Sequence, residues 1–352
     1  MTILDAFKAG KAAASGHKRL VALLWLANVL VALTLTIPFH RTFDAYIRNT
    51  QDEHEMTAGF RWEWFQRFRY DTPGQVVSTF SPSVIGYAPF LKNLDDLTTG
   101  RMFTETLPVI VGMGAVYLLV SVFLAGSIVG ALAQTDDTYS TRQAFIWGGT
   151  YFGRFIRLAI LSLLLYYLLL RWGFGLIRKN LPAWTLDMAS ETPALVLYLG
   201  LNGVTVLVLM FVDLAIDYAR IKTVLEDRRS MILATLSAFR FAGAHILKTF
   251  GLYLLIGLVG LLCLVVYAVV EALIPQHRLL TIGIVFVIQQ LYFLSLFWVK
   301  CWFYGGELVL YRGLTAKPSA TPAPTPPLQP VGAGVPVTPP LQTRSGEEEA
   351  KP

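Results

Sequence analysis

Six apolar runs, 20–37, 107–133, 155–177, 194–216, 249–274 and 279–299, leave this chain few ways to fold. Each is close to the roughly 20 residues that carry a helix across ~30 Å of hydrocarbon. No water reaches backbone amides inside a bilayer, so each span must bond to itself as a helix. The alternating pattern of a transmembrane barrel is absent. Composition agrees: 55% of residues are hydrophobic and 15% charged, where a soluble domain carries about 25% charged residues. Arg171 interrupts the third run after a purely apolar stretch over 158–170. Near a helix end its head can reach the headgroups while its stem stays in the apolar region. The first run follows Lys8, Lys11, Lys18 and Arg19, as a secretory signal would. It is long, however, and ends in Thr36-Ile37-Pro38-Phe39-His40 without a small-x-small site, so it reads as an uncleaved span.

One unit is written three times. Residues 6–37, 144–175 and 238–269 align without a gap, each opening on an Ala-Phe pair: Ala6-Phe7, Ala144-Phe145 and Ala238-Phe239. A small-residue stretch with basic residues follows, then an apolar run. Recurrence at a fixed register dictates architecture. The unit reads as an amphipathic elbow helix at the interface, over 6–19, 144–157 and 238–248, that bends into a span. The prediction is an all-α bundle of six transmembrane helices built as three helical hairpins, 6–133, 144–217 and 238–311. The hairpins share one orientation, unlike the inverted repeats of many secondary transporters. In the second elbow Arg154 and Arg157 stand among Phe152, Phe155 and Ile156, a mixture suited to an anionic leaflet. Lys18, Arg19, Arg154, Arg157 and Lys248 are therefore candidate lipid-headgroup contacts; the plainer reading has them anchor and orient the spans.

Orientation follows from Lys and Arg. The segments 1–19, 134–157, 214–248 and 300–352 hold 18 of them, whereas the short loops 171–194 and 271–280 hold 4. The loop 38–106 holds seven, but loops beyond about 60 residues cross largely regardless of charge. Both termini are thus expected in the cytoplasm, in a bacterial inner membrane. Much of the net charge of +6 is this orienting excess and not a nucleic-acid footprint.

Two segments lie outside the spans. Within 38–106, the stretch to Asp71 reads as helix, with Trp62, Trp64, Phe65, Phe68 and Tyr70 beside Arg61, Arg67 and Arg69, suited to the outer membrane surface. The stretch 79–97, broken by Pro82, Gly86 and Pro89, is either re-entrant or a cap over the helix ends. The membrane domain, 1–312, gives way to a tail over 313–352. Ten of its last 35 residues are proline, so it is expected to be disordered or partly polyproline II, and could offer a protein partner a docking segment.

Chemistry is sparsely written. Asp213 and Asp217 are one turn apart near the end of the fourth run, with Arg220 on the same face. Two such carboxylates repel unless a cation stands near. Arg220 and Lys300 are the candidates, and Glu307 follows Lys300 by seven residues on a similar face. These five form either a proton or substrate relay or an ion-pair network that locks helix ends. Asn28, Asn202, Gln289 and Gln290 suit helix-to-helix bonding, and Gly126 with Gly130, and Gly200 with Gly203, suit close packing. Cys263 and Cys301 lie on different helices without metal or disulfide spacing. Histidines 17, 40, 54, 245 and 277 are scattered, Glu53-His54-Glu55 reads as solvated surface, and Ser15-Gly16-His17-Lys18 matches S-x-x-K without its companion motifs. No HExxH, phosphate loop or G-x-S-x-G is present, so no enzyme, cofactor or metal is predicted.

The blocks TFSPSVIGYAPFLKNLDDL (79–97), YFGRFIRLAI (151–160) and DYARIKTVLEDRRS (217–230) resemble a set of uncharacterised six-span bacterial inner-membrane proteins. More remotely, the hairpin plan is similar to the membrane domain attached to some glycerophosphodiester phosphodiesterases. That resemblance implies no activity here, because the chain carries no phosphodiesterase domain. The expected role is a non-enzymatic membrane scaffold or accessory subunit in contact with anionic lipid; the alternative is a transporter or permease for a small or lipid-like substrate. The charge segregation predicts that Thr57→Cys is labelled by an impermeant thiol reagent in intact cells and Ser319→Cys only after lysis. Labelling of position 319 in intact cells would reverse the topology.

Overall fold

The structure, a computed structural model, describes residues 1–48, 61–72, 108–134, 140–186, 188, 190–275 and 278–316. The 79–97 segment, Glu53-His54-Glu55, His277 and the tail from 317 onward lie outside the described residues. The described chain is helical, with no strand. Its helices are α1 (Ile3–Gly16), α2 (Lys18–Ile47), α3 (Trp62–Asp71), α4 (Pro108–Ala133), α5 (Thr141–Leu169), α6 (Gly175–Thr185), α7 (Glu191–Leu225), α8 (Met231–Ala244), α9 (Ile246–Leu273) and α10 (Leu279–Thr315). Among the described residues six helices are long and apolar enough to cross a membrane, as a multi-pass membrane protein requires.

Several helices outrun their predicted spans. α2 continues through Pro38 to Ile47, and Thr42 Oγ1 donates to the Pro38 carbonyl at 3.1 Å. A proline removes one amide and crowds the preceding turn, but does not force a helix to end. The third span passes Arg171 through a π-turn at Leu170–Phe174 and continues as α6. α10 runs to Thr315, past the boundary expected at 313. α3 meets protein on its apolar side: Trp64, Phe65 and Phe68 bury against Phe39, Phe43, Tyr46 and Ile47 of α2. Tyr46 also donates to Asp71 at 2.5 Å.

The three repeats share a local design, one turn away from where the sequence alignment places the third. α1, α5 and α8 follow Thr2, Ser140 and Ser230, hydroxyl residues of the kind favoured at N-caps. Each then buries a small residue at its fourth position: Ala6, Ala144 and Ala234. Small buried residues recur four residues on, as Gly10 and Ala14, Gly148, and Ala238 and Ala242. Ala6 thus corresponds to Ala234 and not to Ala238. Residues four apart share a helix face, so a one-turn slip preserves the small-residue pattern and is hard to detect in sequence.

The elbows differ in one respect. α1 and α8 end at His17 and His245, where new helices start at Lys18 and Ile246. Nδ1 of each histidine reaches the carbonyl four residues back, Ala13 O at 2.7 Å and Phe241 O at 3.2 Å. A side chain that bonds a carbonyl of the last turn competes with the backbone ladder there. The equivalent position in the second repeat is Phe155, which cannot compete, and α5 runs from Thr141 to Leu169 unbroken. The second elbow is therefore the start of its span and not a separate helix.

Three of the four largest helix seams lie between the predicted hairpins; the fourth, α9 with α10, lies within the third. The three join an elbow to a span of another hairpin: the start of α5 to α4, α8 to α7, and α1 to α10. Loops join the first two pairs; only packing joins α1 to α10. A methyl placed on Gly10 would stand 2.6 Å from Gly306 N, and one on Gly130 would stand 2.6 Å from Trp147 Cβ. Gly126, expected to pack closely, meets Gly148. Gly200 and Gly203 have nothing within 4 Å of an added methyl, so they make no close seam among the described residues. Gln290 accepts from Trp25 Nε1 at 3.2 Å and ties α2 to α10, whereas Asn202 bonds back to Tyr198 O of its own helix.

The core gathers at the elbow end. α7 is buried over most of Val212–Thr223, while Leu195, Leu199, Val204 and Leu207 nearer its start are exposed. Such surface belongs in hydrocarbon. The seam predicts that Gly10→Ala, which must push α1 off α10, costs about 1–3 kcal/mol. Gly149→Ala, on an open helix face, should gain up to about 1 kcal/mol from helix propensity. Thermal unfolding in detergent measures both; equal shifts would refute the seam.

Candidate functional site

The charged residues of α7 and α10 converge inside the bundle. Asp213, Asp217 and Arg220 follow one another along α7, and the i, i+3 spacing lets Arg220 reach back to Asp217 at 2.5 Å. Its guanidinium also donates to the Tyr304 hydroxyl of α10 at 2.8 Å. Asp213 is held differently: it accepts from Tyr166 of α5 and from Tyr253 of α9, each at 2.8 Å. No cation pairs with it among the described residues. Two helices therefore fix a carboxylate of a third through hydroxyl donors.

Lys300 lines the same space, one turn before Tyr304, half-buried. It makes no ion pair or hydrogen bond among the described residues. Arg220, and not Lys300, is the cation that Asp217 meets. Glu307 is within electrostatic range of Asp213, Asp217 and Arg220 but lies in the packed interior beside them. It is fully buried and lines neither cavity of the cluster, and neither carboxyl oxygen has a hydrogen-bond partner among the described residues. Seven residues beyond Lys300 keep it on a similar face but about 10 Å further along the axis.

The cluster lies deeper than the sequence suggests. Tyr253, level with Asp213, is seven residues past Ile246, where α9 leaves the elbow. At 1.5 Å per residue that is about 10 Å along the helix. The apolar run 194–216 places Asp213 near its end, whereas α7 and α10 continue past that level to Leu225 and Thr315. Coulombic attraction between unit charges 4 Å apart is about 4 kcal/mol at an effective dielectric of 20, against about 1 kcal/mol in water. Pairing consequently matters more here than on the surface.

Two cavities flank these residues. One, about 430 Å³, lies between α7, α9 and α10. Asp213, Asp217, Arg220, Tyr253, Lys300 and Tyr304 supply its polar lining, and Gly257, Gly260, Leu296, Val299 and Phe303 its apolar lining. The other, about 190 Å³, is reached from α4 and α5, with Ser121, Ser162 and Tyr166 on its wall. Asp213, Arg220, Lys300 and Tyr304 line both and so form the partition between them. The tyrosines are the members that sequence reasoning misses. Tyr166, Tyr253 and Tyr304 belong to three helices, and their only signal is a hydroxyl in an otherwise apolar run.

Of the candidate headgroup contacts, Lys18, Arg19, Arg157 and Lys248 are exposed at the elbow end. Arg154 instead donates to Asp227 at 2.5 Å and stands over the Tyr151 ring. That hydrogen bond holds the Asp227 carboxyl below its usual range. Arg157 and Arg229 flank a further groove of about 400 Å³, walled by Ile160, Leu161, Leu164 and Ile232. Among the described residues no three His, Cys, Asp or Glu are grouped to hold a metal. Both cysteines are free.

No protein-family model, curated protein or solved structure matches the chain. The site is consequently read from its own residues. Arg220→Met should leave Asp217 unpaired inside the bundle, at a cost of about 3–5 kcal/mol. Asp217→Asn in the same chain should recover part of that loss, while Lys300→Met alone should cost far less. A double-mutant cycle on thermal stability measures the coupling; additive losses at 217 and 220 would show that the pair contributes nothing.

Proposed function

We propose that the protein is a non-enzymatic scaffold or accessory subunit of a bacterial cytoplasmic membrane, with both termini cytoplasmic, that holds a membrane lipid in the cavity between α7, α9 and α10. The observation that carries this reading is the graded lining of that cavity. Its polar groups gather around Asp213, Arg220 and Lys300. Its apolar wall extends along α9 from Tyr253 to Gly260, seven residues or about 10 Å. A headgroup and the first part of an acyl chain have this polarity. The exposed Lys18, Arg19, Arg157 and Lys248, and the groove between Arg157 and Arg229, suit contact with anionic headgroups at the surface.

A second reading is transport of a small or lipid-like substrate. One observation favours it: the same four residues line a cavity on each side. A partition between two cavities is where a permease would open, and ionisable residues within spans commonly mark such paths.

Gly260→Leu tests the lipid reading. An added Cβ there meets only Val299 Cγ1 at 3.7 Å, so a larger side chain has room to enter the cavity. Native mass spectrometry in mild detergent should find retained lipid on the wild type and about tenfold less on the variant at unchanged melting temperature. A wild-type protein that carries no lipid, or equal retention in both, would refute it. Movement of a fluorescent lipid between leaflets of proteoliposomes, blocked by the same substitution, would favour transport.

A further inference from the structure

The cavity holds one cation and one carboxylate that lack charged partners. Lys300 has three donors and no ion pair or hydrogen bond among the described residues. Asp213 accepts from two tyrosine hydroxyls, which leaves about two of a carboxylate's four lone-pair sites open. Arg220 and Asp217 already satisfy each other. Lys300 and Asp213 line the same cavity and stand within each other's electrostatic range, yet no ion pair joins them. A purely anionic guest would match Lys300 but bring its charge toward Asp213, and a purely cationic guest would do the reverse. A guest with both charges matches both.

From this we propose, resting on the lipid reading above, that the cavity recognises a zwitterionic amphiphile of the phosphoethanolamine-lipid class. Its phosphate accepts from Lys300, its ammonium donates to Asp213, and its apolar part runs along Gly257, Gly260 and Leu296. Charge-assisted bonds at each end are about twice as strong as neutral ones and select for geometry as well as charge. The ammonium must carry N–H groups. A quaternary choline head cannot donate to Asp213, and a glycerol head brings no cation.

The full chain, reconstituted in vesicles holding equal mole fractions of phosphatidylethanolamine, phosphatidylcholine and phosphatidylglycerol, tests this. Lipid retained after mild solubilisation is measured by native mass spectrometry. The wild type should retain the ethanolamine lipid over each of the others by about tenfold. Lys300→Met and Asp213→Asn should each erase that preference, and Lys300→Arg should keep it. The wild-type measurement needs no variant to fold. Preference for the glycerol lipid, or parity with the choline lipid, would overturn the zwitterion assignment and leave lipid binding standing. Retention of no lipid would overturn the lipid reading itself.

Discussion

Close approach of backbones at the elbow end is the constraint from which the rest of the bundle follows. In hydrocarbon, helices gain little by hiding apolar side chains from one another, since lipid tails are equally apolar. What holds them is van der Waals fit, and small residues allow it. Ala6, Gly10 and Ala14 of α1, Ala144 and Gly148 of α5, and Ala234, Ala238 and Ala242 of α8 are buried. At the α1–α10 seam the fit brings Gly10 against Gly305 and Gly306. Among the described residues the far halves of the spans show no comparable stripe, and many of their leucines and valines are exposed.

That concentration of packing lets charge sit within the spans. Asp213, Asp217, Arg220 and Lys300 lie just beyond the elbow seams, where α5, α7, α9 and α10 are already held in place. Desolvated charges need partners with fixed geometry. Tyr166, Tyr253 and Tyr304 provide fixed hydroxyls because their backbones cannot drift. The arrangement separates satisfied pairs from unsatisfied groups: Arg220 and Asp217 close on each other, while Lys300 and Asp213 stay available.

The fold was largely legible in the sequence, because length and apolarity are local properties. Six runs yield six helices long and apolar enough to span. The register of the third repeat was not legible. Ala238-Phe239 imitates Ala6-Phe7, yet Ala234 occupies the structural position of Ala6. A pattern with a period of four residues aligns with itself after a slip of one turn, four residues, and only the helix starts resolve it. The elbow bends of the first and third repeats are expected from the sequence, but their placement at His17 and His245 was not legible: a histidine caps or does not cap according to where its ring turns. Of the site, the α7 residues could be found by spacing. Their tyrosine partners come from helices 40 or more positions away and are brought in only by tertiary packing.

The seam between α1 and α10 differs from its two counterparts in having no loop, and this orders the assembly of the molecule in time. α4 and α5, and likewise α7 and α8, are near neighbours in the chain and can pair as soon as both have been made. α1 is made before the other described helices, and the surface it fits, around Trp302, Gly305 and Gly306, belongs to the last of them. Closing so long a loop is slow compared with local pairing. Throughout synthesis the first elbow therefore waits with its small-residue stripe unmatched, and its docking is the last of the three elbow seams to form.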